Sequence, residues 1–379
     1  MRNLGLDIVR FFAVLLVVGR HWEKFSADSP RILRLWQIGG WVGVDLFFVI
    51  SGFLISSLLF KEFQSTGNVN IKRFLIRRGF KIYPSFWILI LVSVLLRNIQ
   101  GQTKSLSSIL IELFFIQNYW YGVWLYTWSL AVEEHFYLGT AVLFKGLKQI
   151  GINRWIKIIP FVCGFTFLAC GLMRYFEISR VSHYFFINHK FKTHLRIDSL
   201  CFGVLIGYLA CFKNLFPVVH KLRASLLILL GVPLLLPAFL FSVGTHPWIL
   251  IWGVTLFYIG SGFIVLGALQ LKDSNHSILK FFGTLGSASY SIYLWHLPVL
   301  VWLIPVFRKL IVLKPDFEFW IYVLSSFGVG WSMYLIVEKP SLRLRDWFDK
   351  HLFKERADLR PPLQPTLIYD PFSKTAEKI

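Results

Sequence analysis

The composition of the chain defines its broad class before any motif is considered. It has 379 residues, of which 56% are hydrophobic and 16% are charged, and a formal net charge of +20 at pH 7. A typical soluble domain has about 25% charged residues, so this composition, with a mean hydropathy of +0.61, indicates a polytopic membrane protein. The positive charge does not predict a nucleic-acid partner, because the basic residues cluster in short segments between apolar runs, as membrane insertion favours.

Several apolar runs approach the roughly 20 residues that a helix needs to cross a bilayer. We therefore predict an all-α bundle of about ten transmembrane helices within residues 1–350. Residues 351–379 are polar and contain proline, which predicts a disordered cytoplasmic tail. Both termini are expected in the cytoplasm, since the loops richest in Lys and Arg then share one side. The predicted spans are 4–21, 41–60, 82–97, 124–144, 157–174, 197–212, 224–241, 248–270, 287–305 and 319–337.

The first predicted span contains RFFAVLLVVGRH, which runs from Arg10 to His21. Eleven steps of about 100° come to three turns plus roughly 20°, so these two residues share one helix face, about 16 Å apart. Asp7 lies close to the same face and can pair with Arg10. Asp7 and Arg10 also interrupt the apolar run, and no cleavage site follows, so we expect an uncleaved helix instead of a signal peptide. Each polar end could simply reach an interface, but ionisable groups in membrane helices are costly and are candidates for function.

The second span contains GVDLFFVISGFLI, with Asp45 near its outer end. Ser51 and Gly52, near the middle, are small residues that are typical of a helix-packing notch. A packing role does not account for Asp45, which therefore remains a candidate site residue.

A third motif, RRGFKIYPSFW, begins a span with the cations Arg77, Arg78 and Lys81. These cations could act only as a topology signal. Alternatively they form a phosphate-binding cluster, because arginine offers paired donors to phosphate oxygens.

Two further motifs place polar groups within apolar runs. In WSLAVEEHFYL, two adjacent glutamates precede a histidine, and Ser129, Glu133 and Tyr137 share one face at i, i+4 and i+8. One glutamate at a helix start has a structural explanation, whereas the combination indicates a site. In SYSIYLWHLPV, His296 taken alone is more typical of a hydrogen-bonded packing residue.

Two segments do not fit the simple pattern of spans. The run 106–117 is too short to cross a membrane and carries Glu112, so it is expected to be interfacial or re-entrant. Segment 174–196 is placed outside, where either the span count fails or the outer face recognises something anionic; we favour the second. Its cations are Arg174, Arg180, Lys190, Lys192 and Arg196, with His183, His189 and His194 beside them. The four cysteines lie singly in apolar runs, which predicts neither disulfides nor a metal site.

Taken together, these motifs resemble the membrane-bound acyltransferase-3 family, the O-acyltransferases of bacterial surface glycans and their eukaryotic relatives. The matching pieces cover residues 4–345 in the family's order. They are LDIVRFFAVLLVVGRH, GVDLFFVISGFLI, RRGFKIYP, WSLAVEEHFYL, RIDSLCFGVLIG, SYSIYLWHLPV and VEKPS.

The resemblance implies roles for several residues. Arg10 and His21 match the paired arginine and catalytic histidine of the family, and Glu133 matches its acidic position. Arg78 matches the first arginine of an R-x-x-R motif, whose second position is Lys81 here. This departure keeps the charge and loses the paired donors. Some members also carry a fused periplasmic hydrolase-like domain, for which 379 residues leave too little room.

The resemblance also implies a reaction. We expect acetyl-CoA to bind from the cytoplasm near Arg77, Arg78 and Lys81, with its pantetheine arm passing Arg10 and its thioester close to His21. Neutral imidazole can accept the proton of an acceptor hydroxyl at neutral pH. Glu133 and Asp45 are both candidates to orient His21, and the sequence does not choose between them.

The predicted function is transfer of an acetyl group from cytoplasmic acetyl-CoA to a hydroxyl of a cell-surface glycan, such as lipopolysaccharide O-antigen or exopolysaccharide. The expected location is the bacterial inner membrane. The alternative is a transporter of glycans or lipid-linked sugars, which would explain a polar stripe without acyl-transfer chemistry. A transporter does not explain the histidine at the end of the stripe.

Overall fold

The computed structural model describes residues 3–147, 152–180, 191–271, 276–311 and 314–353, and these ranges are helical with no β-strand, as predicted. The helices, in chain order, are α1 (Leu4–Arg20), α2 (Arg31–Gly39), α3 (Gly43–Thr66), α4 (Ile71–Ile99), α5 (Leu106–Leu113), α6 (Trp128–Leu147), α7 (Ile152–Ser179), α8 (Ile197–Phe212), α9 (Leu215–Val219), α10 (Ala224–Leu235), α11 (Pro237–Leu240), α12 (Val254–Leu269), α13 (Ser277–Ser287), α14 (Ser289–Pro298), α15 (Ile304–Leu310), α16 (Pro315–Met333) and α17 (Lys339–Phe353). Single π-helical turns, Ile249–Gly253, Val299–Leu303 and Tyr334–Glu338, lead into α12, α15 and α17.

Local sequence signals explain where several helices begin and end. Asn3 caps α1 by accepting a hydrogen bond from the Leu6 backbone N–H, and Asn70 caps α4 in the same way. Such caps satisfy backbone donors that have no partner within the helix. At the other end of α3, Gly67 adopts a left-handed conformation with φ of 65°. Glycine takes this conformation without steric cost, so the chain can reverse there.

Among the residues that the structure describes, six helical stretches are long and apolar enough to cross a membrane. The two shorter apolar helices, Ile197–Phe212 and Ala224–Leu240, also coincide with predicted spans. Each of the ten predicted runs overlaps a helix, and the chain is a multi-pass membrane protein. The number of about ten spans and the cytoplasmic position of the termini stay predictions. The six stretches are Arg31–Thr66, Ile71–Ile99, Ile156–Ser179, Ile249–Leu269, Ser289–Leu310 and Pro315–Leu352.

The first helix lies between two apolar cores. Val14, Val17 and Val18 pack into a core formed with α4, α6, α14 and α16. Leu6 and Val9 pack into a second core formed with α3, α8, α10 and α12. Because α1 contacts both halves of the bundle, any polar side chain on it lies close to several other helices.

The structure describes the run 106–117 and part of the segment 174–196, the two segments that did not fit the simple pattern of spans. The run 106–117 forms the eight-residue helix α5 and a turn; at about 1.5 Å per residue it cannot cross a core of about 30 Å, as predicted. In segment 174–196, of which 181–190 lie outside the described residues, three cations bind carboxylates, so much of the charge that suggested an anionic ligand is neutralised internally. These pairs are Arg174–Asp198 at 2.7 Å, Arg196–Asp45 at 2.7 Å and Lys192–Glu177 at 3.0 Å. The predicted tail lies almost wholly outside the described residues.

Candidate active site

A cavity of about 160 Å³ opens among α1, α3, α4, α6, α13 and α14. Five sequence motifs that are far apart in the chain contribute side chains to its wall. The charged and hydroxyl-bearing residues that line it are Arg10, Ser51, Arg78, Lys81, Ser129, Glu133, Tyr137, Ser287, Ser289, Tyr290 and Tyr293. The structure therefore brings together Arg10, Arg78, Lys81 and Glu133 of the predicted site residues.

Arg10 is held at the cavity by the residue one turn before it. Its Nη1 atom donates to Asp7 Oδ1 at 2.8 Å, as the i, i+3 spacing predicts. Asp7 is buried, with 2% of its surface exposed, whereas Arg10 is partly exposed. The pair therefore directs a guanidinium group into the cavity while its counter-ion stays inside the bundle.

Glu133 forms the acidic part of the wall. Its Oε1 atom accepts a hydrogen bond from Ser51 Oγ at 3.1 Å, and its Oε2 atom accepts one from Tyr137 Oη at 2.9 Å. Ser129, one turn earlier on α6, lies 2.7 Å from Tyr293 Oη through its own hydroxyl. The predicted shared face of Ser129, Glu133 and Tyr137 is confirmed, because all three line the cavity.

The three cations predicted as one cluster separate into different environments. Arg77 Nη1 donates to Asp349 Oδ2 of α17 at 2.7 Å, and Arg77 is not among the cavity-lining residues. Lys81 lines the cavity and is bound to Glu338, the glutamate of VEKPS. Arg78 lines the cavity too, with its guanidinium carbon 5.9 Å from the Tyr137 ring centroid.

Arg78 differs from its neighbours in having unsatisfied hydrogen-bonding capacity. Its Nε atom is buried and has no hydrogen-bond partner among the residues that the structure describes. A buried donor without an acceptor is costly, so native proteins rarely keep one unless a water, ion or ligand completes it. Arg78 is therefore the cation in this wall best suited to an anionic ligand.

His21 lies directly after the last residue of α1. Its Nδ1 atom is 3.0 Å from the Val17 carbonyl oxygen and 3.1 Å from Nε2 of His296 on α14. The ring of Tyr126 lies 6.3 Å from the His21 ring and 5.1 Å from the His296 ring, measured between centroids. Neither His21 nor His296 is among the residues that line the cavity, and the link between them and its wall is Tyr293, a lining residue whose backbone carbonyl contacts His296 Nδ1.

Sequence reasoning did not identify His296 as a site residue. A histidine among aromatic residues is by itself typical of packing, and its contact with His21 joins positions that are 275 residues apart. The signal available was a further histidine in a predicted span, which does not specify a partner.

Asp45 is not among the residues that line the cavity. It is fully buried and accepts hydrogen bonds from Arg196 Nη2 at 2.7 Å and Ser199 Oγ at 3.0 Å. These contacts connect α3 to the start of α8. A buried charge needs such a partner to be tolerated, so the structure gives Asp45 a role in holding two helices together, and its predicted catalytic role stays untested.

The described residues contain no group of three or more His, Cys, Asp or Glu side chains that could hold a metal ion. All four cysteines are free thiols, and Cys163 and Cys170 are buried. The described residues at and near the cavity offer imidazole, carboxylate, guanidinium and hydroxyl groups.

The fold and the cavity define a multi-pass membrane protein with a charged interior site, and comparison with known proteins specifies its family. The sequence profile described as "Acyltransferase domain" matches residues 3–335, so the chain belongs to the acyltransferase-3 family. Membership confirms the resemblance of the motifs and favours acyl transfer over the transporter alternative.

Individual relatives agree with this assignment. A Staphylococcus aureus (strain COL) protein, provisionally named an O-acetyltransferase, is 31% identical over 78% of this chain and 50% of its own length. The peptidoglycan O-acetyltransferase OatA of Listeria monocytogenes is 27% identical over 89% of this chain and 55% of its own. The chain thus spans about half the length of the curated relatives it matches. No solved structure matches it.

Proposed function

We propose that this protein is an integral membrane O-acyltransferase that moves an acetyl group from acetyl-CoA to a hydroxyl of a cell-surface glycan. The observation that carries the proposal is a cavity lined by Arg10, Arg78, Lys81 and Glu133, whose wall residue Tyr293 contacts His296, the partner of His21. Family membership and relatives named O-acetyltransferases support the reaction type.

The donor is proposed to bind at the Arg78 end of the cavity. Its phosphate oxygens would accept the hydrogen bond that Arg78 Nε does not otherwise make, whereas Lys81 lines the same cavity with its charge already paired to Glu338. Arg77 contributes less than the sequence suggested, because Asp349 already binds it. Arg10 lines the same cavity and lies on α1, eleven residues before His21.

The chemical step is proposed to use His21 as the general base. His21 removes the proton of the acceptor hydroxyl, and the hydroxyl oxygen attacks the thioester carbonyl carbon. The carbon–sulfur bond then breaks, and the thiolate recovers a proton from the His21 imidazolium. No oxidant or metal is needed, so the residues described here account for the proton balance.

The name of one relative supports the proposed class of acceptor, and the bacterial origin of the relatives supports the proposed location. OatA of Listeria is named for peptidoglycan, and we propose a glycan acceptor of that kind, with O-antigen and exopolysaccharide as alternatives, at the outer side of the bacterial inner membrane. His21 is about 16 Å further along α1 than Arg10. The histidine would meet the acceptor near the outer surface, while the donor enters from the cytoplasm.

Surface glycans from cells with and without the gene provide the test. Mass spectrometry of peptidoglycan, O-antigen and exopolysaccharide fractions should show loss of an acetyl increment in one fraction of the deletion strain. Reintroduction of the wild-type gene should restore it, and reintroduction of the His21→Ala gene should not. Equal acetylation of every fraction with and without the gene contradicts the proposal.

A further inference from the structure

His296 and His21 form an imidazole pair within the helical bundle. His296 is fully buried, and its Nε2 atom lies 3.1 Å from His21 Nδ1, with ring centroids 4.8 Å apart. A neutral imidazole carries one N–H and one lone pair, and which nitrogen has which depends on its neighbours. The contacts on both rings therefore determine where the protons lie.

The proton of His296 is fixed by its own helix. Its Nδ1 atom faces the Tyr293 carbonyl oxygen, which can only accept a hydrogen bond. The N–H of the neutral ring must then be on Nδ1, and Nε2 carries the lone pair. His296 consequently presents an acceptor to His21.

That acceptor fixes the proton of His21 in turn. His21 Nδ1 faces two acceptors, Nε2 of His296 at 3.1 Å and the Val17 carbonyl at 3.0 Å. The proton therefore resides on Nδ1, and the lone pair of His21 is on Nε2. This is the nitrogen on the side of the ring away from His296, where a base would take up a proton.

The surrounding residues hold His296 in this orientation. Tyr126 Oη donates to the Leu294 carbonyl, and Tyr293 Oη donates to the Tyr126 carbonyl. These two reciprocal bonds attach the segment before α6 to α14. The Tyr126 ring then packs edge-on against both histidines, so neither imidazole can turn without disturbing the attachment.

We propose that His296 is a positioning residue that selects the Nδ1–H tautomer of His21, so that Nε2 of His21 is the basic nitrogen in acyl transfer. After His21 accepts a proton, its Nδ1–H remains bonded to His296, which stabilises the imidazolium. This inference rests on the proposed function, and it assigns to a histidine the orienting role for which Glu133 and Asp45 were the sequence candidates.

The test compares two substitutions of similar size and opposite hydrogen-bonding capacity. His296→Leu fills the space and removes the acceptor, whereas the amide oxygen of His296→Gln can take the place of Nε2. In proteoliposomes with acetyl-CoA as donor, His296→Leu should lower kcat by on the order of 10- to 100-fold, the range found for partners that orient a metal-bound histidine. The KM for acetyl-CoA should stay within about threefold of wild type, and His296→Gln should recover most of kcat. A kcat for His296→Leu equal to that of wild type overturns the inference, and so does a His296→Gln variant that folds yet is as slow as His296→Leu.

A spectroscopic measurement separates this inference from the proposed function. Side-chain ¹⁵N spectra of histidine-labelled protein, with the His21 signal assigned from the spectrum of His21→Ala, report the tautomer without any turnover. Wild type should show His21 protonated at Nδ1, and His296→Leu should show a mixture of tautomers. A wild-type protein without transferase activity but with this spectrum refutes only the proposed function. A proton on Nε2 of His21 in wild type refutes the positioning role.

Discussion

Adjacent arginines at the start of α4 have different environments, and this difference makes a sharp test of donor binding. Arg78 lines the cavity with a buried donor that lacks a partner among the described residues, whereas Arg77 is bound to Asp349. Arg78→Ala should weaken acetyl-CoA binding by roughly 1.5–3 kcal/mol, the range for a hydrogen bond to a charged group. Isothermal titration calorimetry of each purified protein with acetyl-CoA measures this change in binding free energy.

Arg77→Ala is the matched control, since it removes the same charge one residue away. Its donor affinity should stay close to that of wild type, and any small loss should disappear at high salt because only long-range attraction is involved. Equal losses of donor affinity in the two variants would show that these arginines act only through general electrostatic attraction. An unchanged affinity in Arg78→Ala would show that the donor does not bind at Arg78.

Glu112 lies outside the predicted spans, and its buried carboxyl group contacts the segment that carries Tyr126. It accepts hydrogen bonds from Thr127 Oγ1 and from the backbone N–H groups of Val123 and Trp124, the latter two at 2.8 Å and 3.2 Å. Burial raises the pKa of the Glu112 carboxyl from its ordinary value of 4.5 to about 7, against the opposing effect of these hydrogen bonds. The protonated form is thus the one that the fold favours.

Stability should therefore depend on pH in a predictable direction. The pKa of Glu112 is higher in the folded state than in the unfolded state. The contribution of its protonated form to the free energy of unfolding is therefore complete below about pH 4.5 and is lost as pH rises through 7. The loss is about 3 kcal/mol at 1.36 kcal/mol per unit. Unfolding in detergent, compared between wild type and Glu112→Gln from pH 5 to 8, should give a pH-dependent difference. Parallel curves for the two proteins would show that Glu112 does not titrate in this range.

At the scale of helices, α3 and α8 cross at two glycines. A Cβ atom on Gly52 would lie 2.0 Å from the Leu200 carbonyl oxygen, and one on Gly203 would lie 2.3 Å from the Val49 carbonyl oxygen. Both distances are to backbone, which cannot move without separating the helices. The predicted packing notch is thus confirmed for Gly52, whereas Ser51 contacts Glu133 instead.

Alanine substitutions test this crossing. Gly203→Ala should destabilise the protein by about 1–3 kcal/mol through overpacking, measured as a lower Tm in detergent. Gly164→Ala on α7 is the control, because a Cβ there meets no atom within 4 Å and alanine favours the helix by up to about 1 kcal/mol. A Tm for Gly203→Ala at or above that of Gly164→Ala would mean that the two helices are not closely packed in the membrane.

At the scale of the whole molecule, contacts between segments outside the predicted spans agree with the alternation of those spans. Ser29 donates to Asp316 at 2.6 Å, and both residues fall on the predicted outer side. Arg73 binds Asp349 at 2.7 Å, and both fall on the predicted cytoplasmic side. These contacts pair segments on the same side of the bundle, and an experiment in the membrane is needed to identify the cytoplasmic side. Reporter fusions after residue 67 and at the C-terminus should report cytoplasm, and one after residue 121 should report the exterior; an exterior C-terminus would contradict the proposed donor route.

Interactions within one helix could be predicted from the sequence, whereas interactions between helices could not. The Asp7–Arg10 pair and the shared face of Ser129, Glu133 and Tyr137 follow from helical periodicity alone, and both are present. Periodicity says nothing about which distant side chain a residue meets. Arg77 binds Asp349 of α17, and His21 contacts His296 of α14, because tertiary packing brings those helices together.

The measurement that tests the central claim most directly is a single turnover of acetyl transfer with wild type and His21→Ala. Labelled acetyl-CoA would be supplied at a concentration above its dissociation constant for the protein. Donor binding and membrane insertion would be measured on the same preparations. If His21 is the general base, His21→Ala should bind donor as wild type does and transfer the acetyl group about 10²–10⁴ times more slowly. A His21→Ala protein that transfers at the wild-type rate would contradict the account.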